Sequence, residues 1–156
     1  MMDEYVEEYL QIYGFNNNQI EYIKTNPYVS QVTKTHLLNI IKYFEDYKIS
    51  KEKIIEVMSS NKWIISENYY RINAIEDVFK KLGYSDDEYK YILENNYKVL
   101  TINPNEFIKT INYIKTLSKD INVKQFILKN LDIISEKFLD IKDIIDEKIK
   151  NILITD

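Results

Sequence analysis

The side chains whose types and spacing could engage a ligand are basic. From Glu106 to Lys119 the sequence places Lys109, Lys115 and Lys119 with a single acid, and Asn112 and Thr116 lie among them. Earlier in the chain Lys34, Lys42, Arg71, Lys80 and Lys81 add to this set, interleaved with Glu45, Asp46, Glu76 and Asp77. Lysine and arginine neutralise phosphates, and exposed aromatic rings stack on bases. The same pattern also describes a solvated helix face laced with i, i+4 ion pairs. Lys34, Lys42, Arg71, Lys80, Lys81, Lys109, Asn112, Lys115 and Lys119 are therefore the candidate contacts for a protein or a nucleic acid.

Catalysis has no comparable foothold. There is no Cys, which excludes thiol nucleophiles, disulfides and Cys-ligated metals, and His36 is the single His. With 2 Gly in the chain, no Gly-rich phosphate loop can be built. The acidic triplet Asp86-Asp87-Glu88 reads as a helix N-terminus, where carboxylates meet the positive end of the dipole. His36 lies near the start of a helix without a nucleophile or metal partner in view. No catalytic residue, cofactor or metal ligand is assigned, and the chain is expected not to be an enzyme.

Composition sets the frame for these residues. The chain has 156 residues, 45% hydrophobic and 29% charged, enough for one soluble domain with a real core. Ile, Asn, Lys and Tyr number 27, 16, 20 and 14, and their codons are A+T-rich; base composition accounts for the abundance of Tyr. The net charge of −4 comes from Asp3, Glu4, Glu7 and Glu8, whereas residues 13–156 balance 21 acids with 21 bases. The opening residues have neither the basic and apolar regions of a signal peptide nor the Arg-rich, acid-poor character of a transit peptide. No apolar run approaches the roughly 18 residues of a membrane span. A cytoplasmic location and no membrane partner are expected.

The elements that must position the basic side chains repeat. Asn26, Asn61, Asn96 and Asn130 are spaced 35, 35 and 34 apart, and each precedes a short apolar pair and a hydroxyl residue. Upstream lies an apolar triplet at helical spacing: Ile54, Val57, Met58; Tyr89, Ile92, Leu93; Val123, Phe126, Ile127. Ser85 to Glu88 is a capping box, and Asn16 to Gln19 and Asn122 to Gln125 are amide versions of it. Downstream a second helix carries apolar residues at spacings 3, 4 and 3: Leu37, Ile40, Phe44, Tyr47, then Ile72, Ile75, Phe79, Leu82. In the third copy, Phe107, Thr110, Ile114 and Leu117, Thr110 departs from the pattern. Asn103-Pro104 opens that helix with a cap and a Pro at its first position.

The predicted fold is all-α: a short helical-repeat, solenoid-like array of about four helix–turn–helix units, 13–47, 48–82, 83–117 and 118–154. An acidic helix over 2–13, with Tyr5, Tyr9, Leu10 and Tyr13 inward, caps the N-terminal end. A long charged helix from Ser135 to about Ile154 caps the other. Trp63, in a connector, is expected to plug the space between stacked units. A tetratricopeptide repeat would need small residues that one Ala and 2 Gly cannot supply. A DNA-reading helix-turn-helix would need a small residue in the joint at 61–66.

Leu82-Gly83-Tyr84-Ser85, Ile92-Leu93, Asn96 and Val99-Leu100-Thr101 together resemble a repeat of the mitochondrial transcription termination factor (mTERF) family. Tyr13-Gly14-Phe15 through Asn26-Pro27 resembles a second copy. The resemblance spans roughly residues 13–135. It implies helical hairpins stacked into a curved solenoid that binds nucleic acid. The neutral body, the acidic first helix and the common use of such arrays as docking surfaces point instead to a protein partner. Protein recognition, as a small regulator or adaptor, is the expected function; phosphate contact through the Lys-rich second helices is the alternative.

Overall fold

The structure is a computed structural model that describes residues 1–96, 98–117 and 119–155. Tyr97 of the third connector and Ser118, the first residue of the fourth predicted unit, lie outside the described residues. Among those described the chain is all-helical, without a strand.

Helix α1 (Glu4–Tyr13) starts at Asp3, whose carboxylate accepts from the Tyr5 and Val6 N–H groups. The inward face is Met2, Val6 and Leu10. Of the expected inward residues only Tyr5 is corrected, at 61% exposed; Leu10 is buried, and Tyr9 and Tyr13, half-buried, pack against the core.

Three helices of one kind follow at the predicted beat: α2 (Asn17–Lys24), α4 (Lys51–Ser60) and α6 (Asp86–Asn95). Asn16 with Gln19 and Ser85 with Glu88 close complete capping boxes, and Ser50 caps α4 through the Lys53 N–H. The apolar triplets Ile54, Val57, Met58 and Tyr89, Ile92, Leu93 are buried. Each helix leads through a 3-10 turn (Val29–Gln31, Ile64–Ser66, Val99–Thr101) into a longer helix: α3 (Lys34–Asp46), α5 (Tyr69–Lys81) and α7 (Pro104–Leu117). Thr33, Asn68 and Asn103 cap these through side-chain oxygens. The first three members of each predicted row, from Leu37, Ile40 and Phe44 to Phe107, Thr110 and Ile114, are buried; the fourth members, Tyr47, Leu82 and Leu117, are half-buried.

Helices α1, α3 and α5 end alike. The N–H groups of Phe15, Ile49 and Tyr84 reach back to the carbonyls of Leu10, Phe44 and Phe79, and all three side chains are buried. The residue before each lies at positive φ: Gly14 at 126°, Lys48 at 62° and Gly83 at 94°.

The last part of the chain is built differently. Helix α8 (Val123–Lys129) is followed by a single helical turn, α9 (Leu131–Ile134), and by α10 (Phe138–Thr155). Asn122 caps α8 through the Gln125 N–H. The predicted helix start at Ser135 moves to Phe138, because the Ser135 hydroxyl and the Glu136 N–H close the α9 turn on Asp132 and Ile133. Helix α10 packs on α7, burying Ile141, Ile145 and Ile149 with Ile114 and Phe126 in a second cluster beside the main core. Elsewhere α2 packs on α4, α5 on α7, and the 3-10 turns of residues 29–31 and 64–66 on each other.

The four marker asparagines are buried and bonded. Asn26, Asn61 and Asn96 each accept, through Oδ1, from the N–H two residues on (Tyr28, Trp63, Lys98), a local turn of the Asx kind. Their Nδ2 groups point onward. Asn26 donates to the Lys62 carbonyl and Ser66 Oγ at 2.9 and 2.8 Å, Asn61 to Thr101 Oγ1 at 3.1 Å, and Asn96 to the Leu131 carbonyl at 2.6 Å. Asn130 turns back to its own helix, donating to the Phe126 carbonyl at 2.7 Å.

Candidate functional site

Helices α3, α5 and α7 carry most of the predicted contact residues, and two depressions lie between them. The first, of about 500 Å³, separates α3 from α5 and is lined by Asp46, Tyr47, Lys48, Glu76, Asp86 and Asp87 among others. Beneath it the Tyr43 and Tyr89 hydroxyls share a buried hydrogen bond at 3.0 Å. Burial pushes both phenols well above their ordinary range. The Tyr47 hydroxyl donates to Glu76 Oε1. Burial raises the Glu76 carboxyl, partly offset by the Lys80 ammonium.

The second depression, of about 260 Å³, separates α5 from α7. Its floor is Val78, Leu82, Ile108 and Ile111, and Lys81, Asn112 and Lys115 stand around it. Ile108 is 41% exposed. The two depressions occupy corresponding places. Tyr43, Asp46, Tyr47, Asn73 and Glu76 of the first are replaced, thirty-five positions on, by Val78, Lys81, Leu82, Ile108 and Ile111 of the second. One is acidic and tyrosine-lined; its neighbour is apolar with a basic rim.

The structure brings Lys81, Asn112 and Lys115 together and engages most of the other candidates elsewhere. Lys42 pairs with Asp46 at 2.8 Å, Lys109 with Glu106 at 3.8 Å, and Lys80 with Asp86. Arg71 pairs with the buried Glu67 at 3.4 Å and donates to the Ile102 carbonyl, so it braces the third connector. Lys34 lies 5.9 Å from the Tyr9 ring centre. Lys119 is exposed in the turn after α7. Among the described residues Lys81, Lys115 and Lys119 have no ion-pair partner.

Trp63 does not plug the stack. It is 42% exposed, its ring centre 6.3 Å from that of Tyr28 in the preceding connector, with Lys62 Nζ 5.5 Å from its ring. The Asn61 turn directs the chain so that Ile64 and Ile65, not Trp63, enter the core. This pair of exposed rings was missed by sequence reasoning; the shared offset of Tyr28 and Trp63 from Asn26 and Asn61 was the available signal. His36 sits half-buried on α3. Among the described residues no group of three His, Cys, Asp or Glu side chains could hold a metal ion. No helix there is long and apolar enough to cross a membrane.

No protein-family model matches the chain, and comparison with curated proteins and with solved structures finds no match.

Proposed function

We propose that the chain is a non-catalytic docking module, a short array of about four helix–turn–helix units capped by α1, that recognises a protein partner as a small regulator or adaptor. The recurrent Asn relay and the common ending of α1, α3 and α5 support the array. The observation that carries the protein reading is the contrast between the candidate cations that are engaged and those that stand around the second depression. Lys42, Arg71, Lys80 and Lys109 face the chain's own carboxylates, which phosphates would have to displace. What stays open is an apolar floor with two basic side chains at its rim, a composition that suits an apolar anchor flanked by acids on a partner helix.

A second reading keeps the mTERF-like resemblance: a nucleic-acid backbone contacted through Lys81, Lys115 and Lys119, three candidate cations without an ion-pair partner among the described residues. The two separate in one experiment. Partner capture from the native host is run with and without nuclease, on the natural chain and on Ile108→Asp. Protein docking expects capture that survives nuclease, weakens less than tenfold between about 50 and 200 mM salt, and disappears in the variant. Capture lost on nuclease treatment and retained by Ile108→Asp overturns protein docking.

A further inference from the structure

The first two connectors set exposed rings side by side on one surface. Asn26 and Asn61 hold the Tyr28 and Trp63 N–H groups in matching turns, and Asn26 Nδ2 ties the first connector to the Lys62 carbonyl of the second. The backbones that carry the two rings are therefore fixed relative to each other before any ligand arrives. Tyr28 is 55% exposed and Trp63 42%; their planes are inclined at 53° and their centres lie 6.3 Å apart. Tyr22, 38% exposed, adjoins them, its hydroxyl accepting from the Lys62 N–H at 3.4 Å. The Lys62 ammonium stands 5.5 Å from the Trp63 ring centre and 6.0 Å from that of Tyr22, and among the described residues it has no ion-pair partner. Neither the Trp63 Nε1–H nor the Tyr28 hydroxyl has a hydrogen-bond partner among those residues. This ledge thus offers apolar ring faces, two free donors and one free cation.

We infer that the ledge binds a proline-rich segment of another protein, held in the polyproline II conformation with an acidic residue beside its prolines. That helix has no internal hydrogen bonds, so its carbonyls are open to the Trp63 and Tyr28 donors. It advances about 3.1 Å per residue, so the 6.3 Å between the ring centres spans about two residues. A two-residue step also turns a side chain by about a third of a turn, which two rings inclined to each other can follow. Proline rings lie against aromatic faces at little cost in conformational freedom, because the segment is extended before it docks. An acid next to them meets Lys62. A single-stranded nucleic acid is served less well, since its backbone needs a groove of free cations. Lys24, before the first connector, pairs with Glu7 and Glu21, and Lys98, in the third, with Glu136. No residue of the α5–α7 depression takes part, so the inference goes beyond the docking site proposed there and does not depend on it.

Trp63 is the single Trp of the chain, so its emission reports on the ledge. The full chain is titrated with three synthetic proline-rich peptides of one sequence, differing only in an Asp, an Ala or a Lys beside the prolines, and with an oligothymidine strand of equal length. A saturable shift of Trp63 emission is expected with the peptides. The Asp peptide should bind about threefold more tightly than the Ala peptide, and the Lys peptide more weakly than either. Lys62→Glu should reverse the order of the Asp and Lys peptides, a result that loss of folding cannot mimic. Tyr28→Ala keeps the reporter and should weaken every peptide by about tenfold. Emission unchanged by all three peptides up to about 2 mM, or equal affinity for the three in the natural chain, overturns the inference. A shift with oligothymidine and none with the peptides overturns it in favour of a single strand on the ledge. Ile108→Asp should leave the peptide titration unchanged, so failure of this surface and failure of the α5–α7 docking site are read separately.

Discussion

The side-chain amide of Asn96 donates to the backbone carbonyl of Leu131, the residue directly after Asn130, across 35 positions of sequence. Asn26 does the same to Lys62, the residue after Asn61. Each buried asparagine thus closes its own turn with its oxygen and holds the next connector with its nitrogen. Asn130 instead bonds within its own helix. A buried amide left without its partners costs about 1–3 kcal/mol, and removing Asn96 also strands the Leu131 carbonyl and the Lys98 N–H. Asn96→Ala should therefore lose about 2–3 kcal/mol and Asn130→Ala about 1 kcal/mol, read from urea midpoints at unchanged slope. Equal losses at the two positions would contradict a relay between connectors.

Thr110 stands where the preceding helices have Ile40 and Ile75, and α10 has Ile145. All four are fully buried. Its hydroxyl bonds back to the Glu106 carbonyl of the same helix, an arrangement that adds little to a helix and places a polar atom against apolar neighbours. Thr110→Val should stabilise the chain by up to about 1 kcal/mol, raising the melting temperature by roughly 2–4 °C. A fall in melting temperature would show that the hydroxyl matters to packing in a way the Glu106 contact does not explain.

Lys48 and Gly83 are the same backbone position, thirty-five residues apart, both at positive φ after a helix end. Side chains are strained there by about 1 kcal/mol, and glycine is not. Lys48→Gly should raise stability by about 0.5–1 kcal/mol, and Gly83→Ala should lower it by about 1 kcal/mol. A Cβ at Gly83 meets nothing within 4 Å, so the second loss reports backbone strain alone. Thermal unfolding of both variants checks the pair, and a shift in the same direction for both would refute it.

How much of this was written in the sequence varies with range. The helices, the 35-residue beat, the capping box at Ser85 and Glu88 and the inward rows from Leu37 to Ile114 depend on residues three or four apart, and such neighbours are fixed as soon as a helix forms. The asparagines announced the beat but not their task, because donating to the next connector needs both connectors in place. The basic residues were legible as a set and not as a site. Lys42 and Lys109 have acids within reach on their own helices, and Arg71 finds Glu67 four residues back, but the bond from Arg71 to Ile102 crosses from α5 to the third connector. Only the third dimension separates Lys81 and Lys115, which stand over apolar side chains, from cations that are already engaged. Tyr5 failed because Met2, Val6 and Leu10, four apart, take the inward face of α1 and leave Tyr5 beside it.

Glu67 is an acid in the wall of the core, 8% exposed, accepting from the Asn68 N–H and facing Arg71. Burial holds its carboxyl above the ordinary 4.5, against the opposing pull of Arg71 and the Asn68 N–H. Glu76 is displaced in the same direction, again by burial. At these two carboxyls the folded chain therefore holds more protons than the unfolded chain just above pH 4.5, and in that interval their contribution to stability falls as pH rises. Glu88 and Asp146 are shifted the other way, toward stability lost on acidification below their ordinary values. Comparison with Glu67→Gln isolates the buried group, since glutamine keeps an oxygen for the Asn68 N–H and does not titrate. Between about pH 4 and 6 the urea midpoint of the natural chain should decline relative to that of the variant, and the gap should become constant once Glu67 is ionised in both states. Parallel profiles across that interval would mean that the Glu67 carboxyl titrates alike in the folded and unfolded chain, and that Arg71 fully offsets its burial.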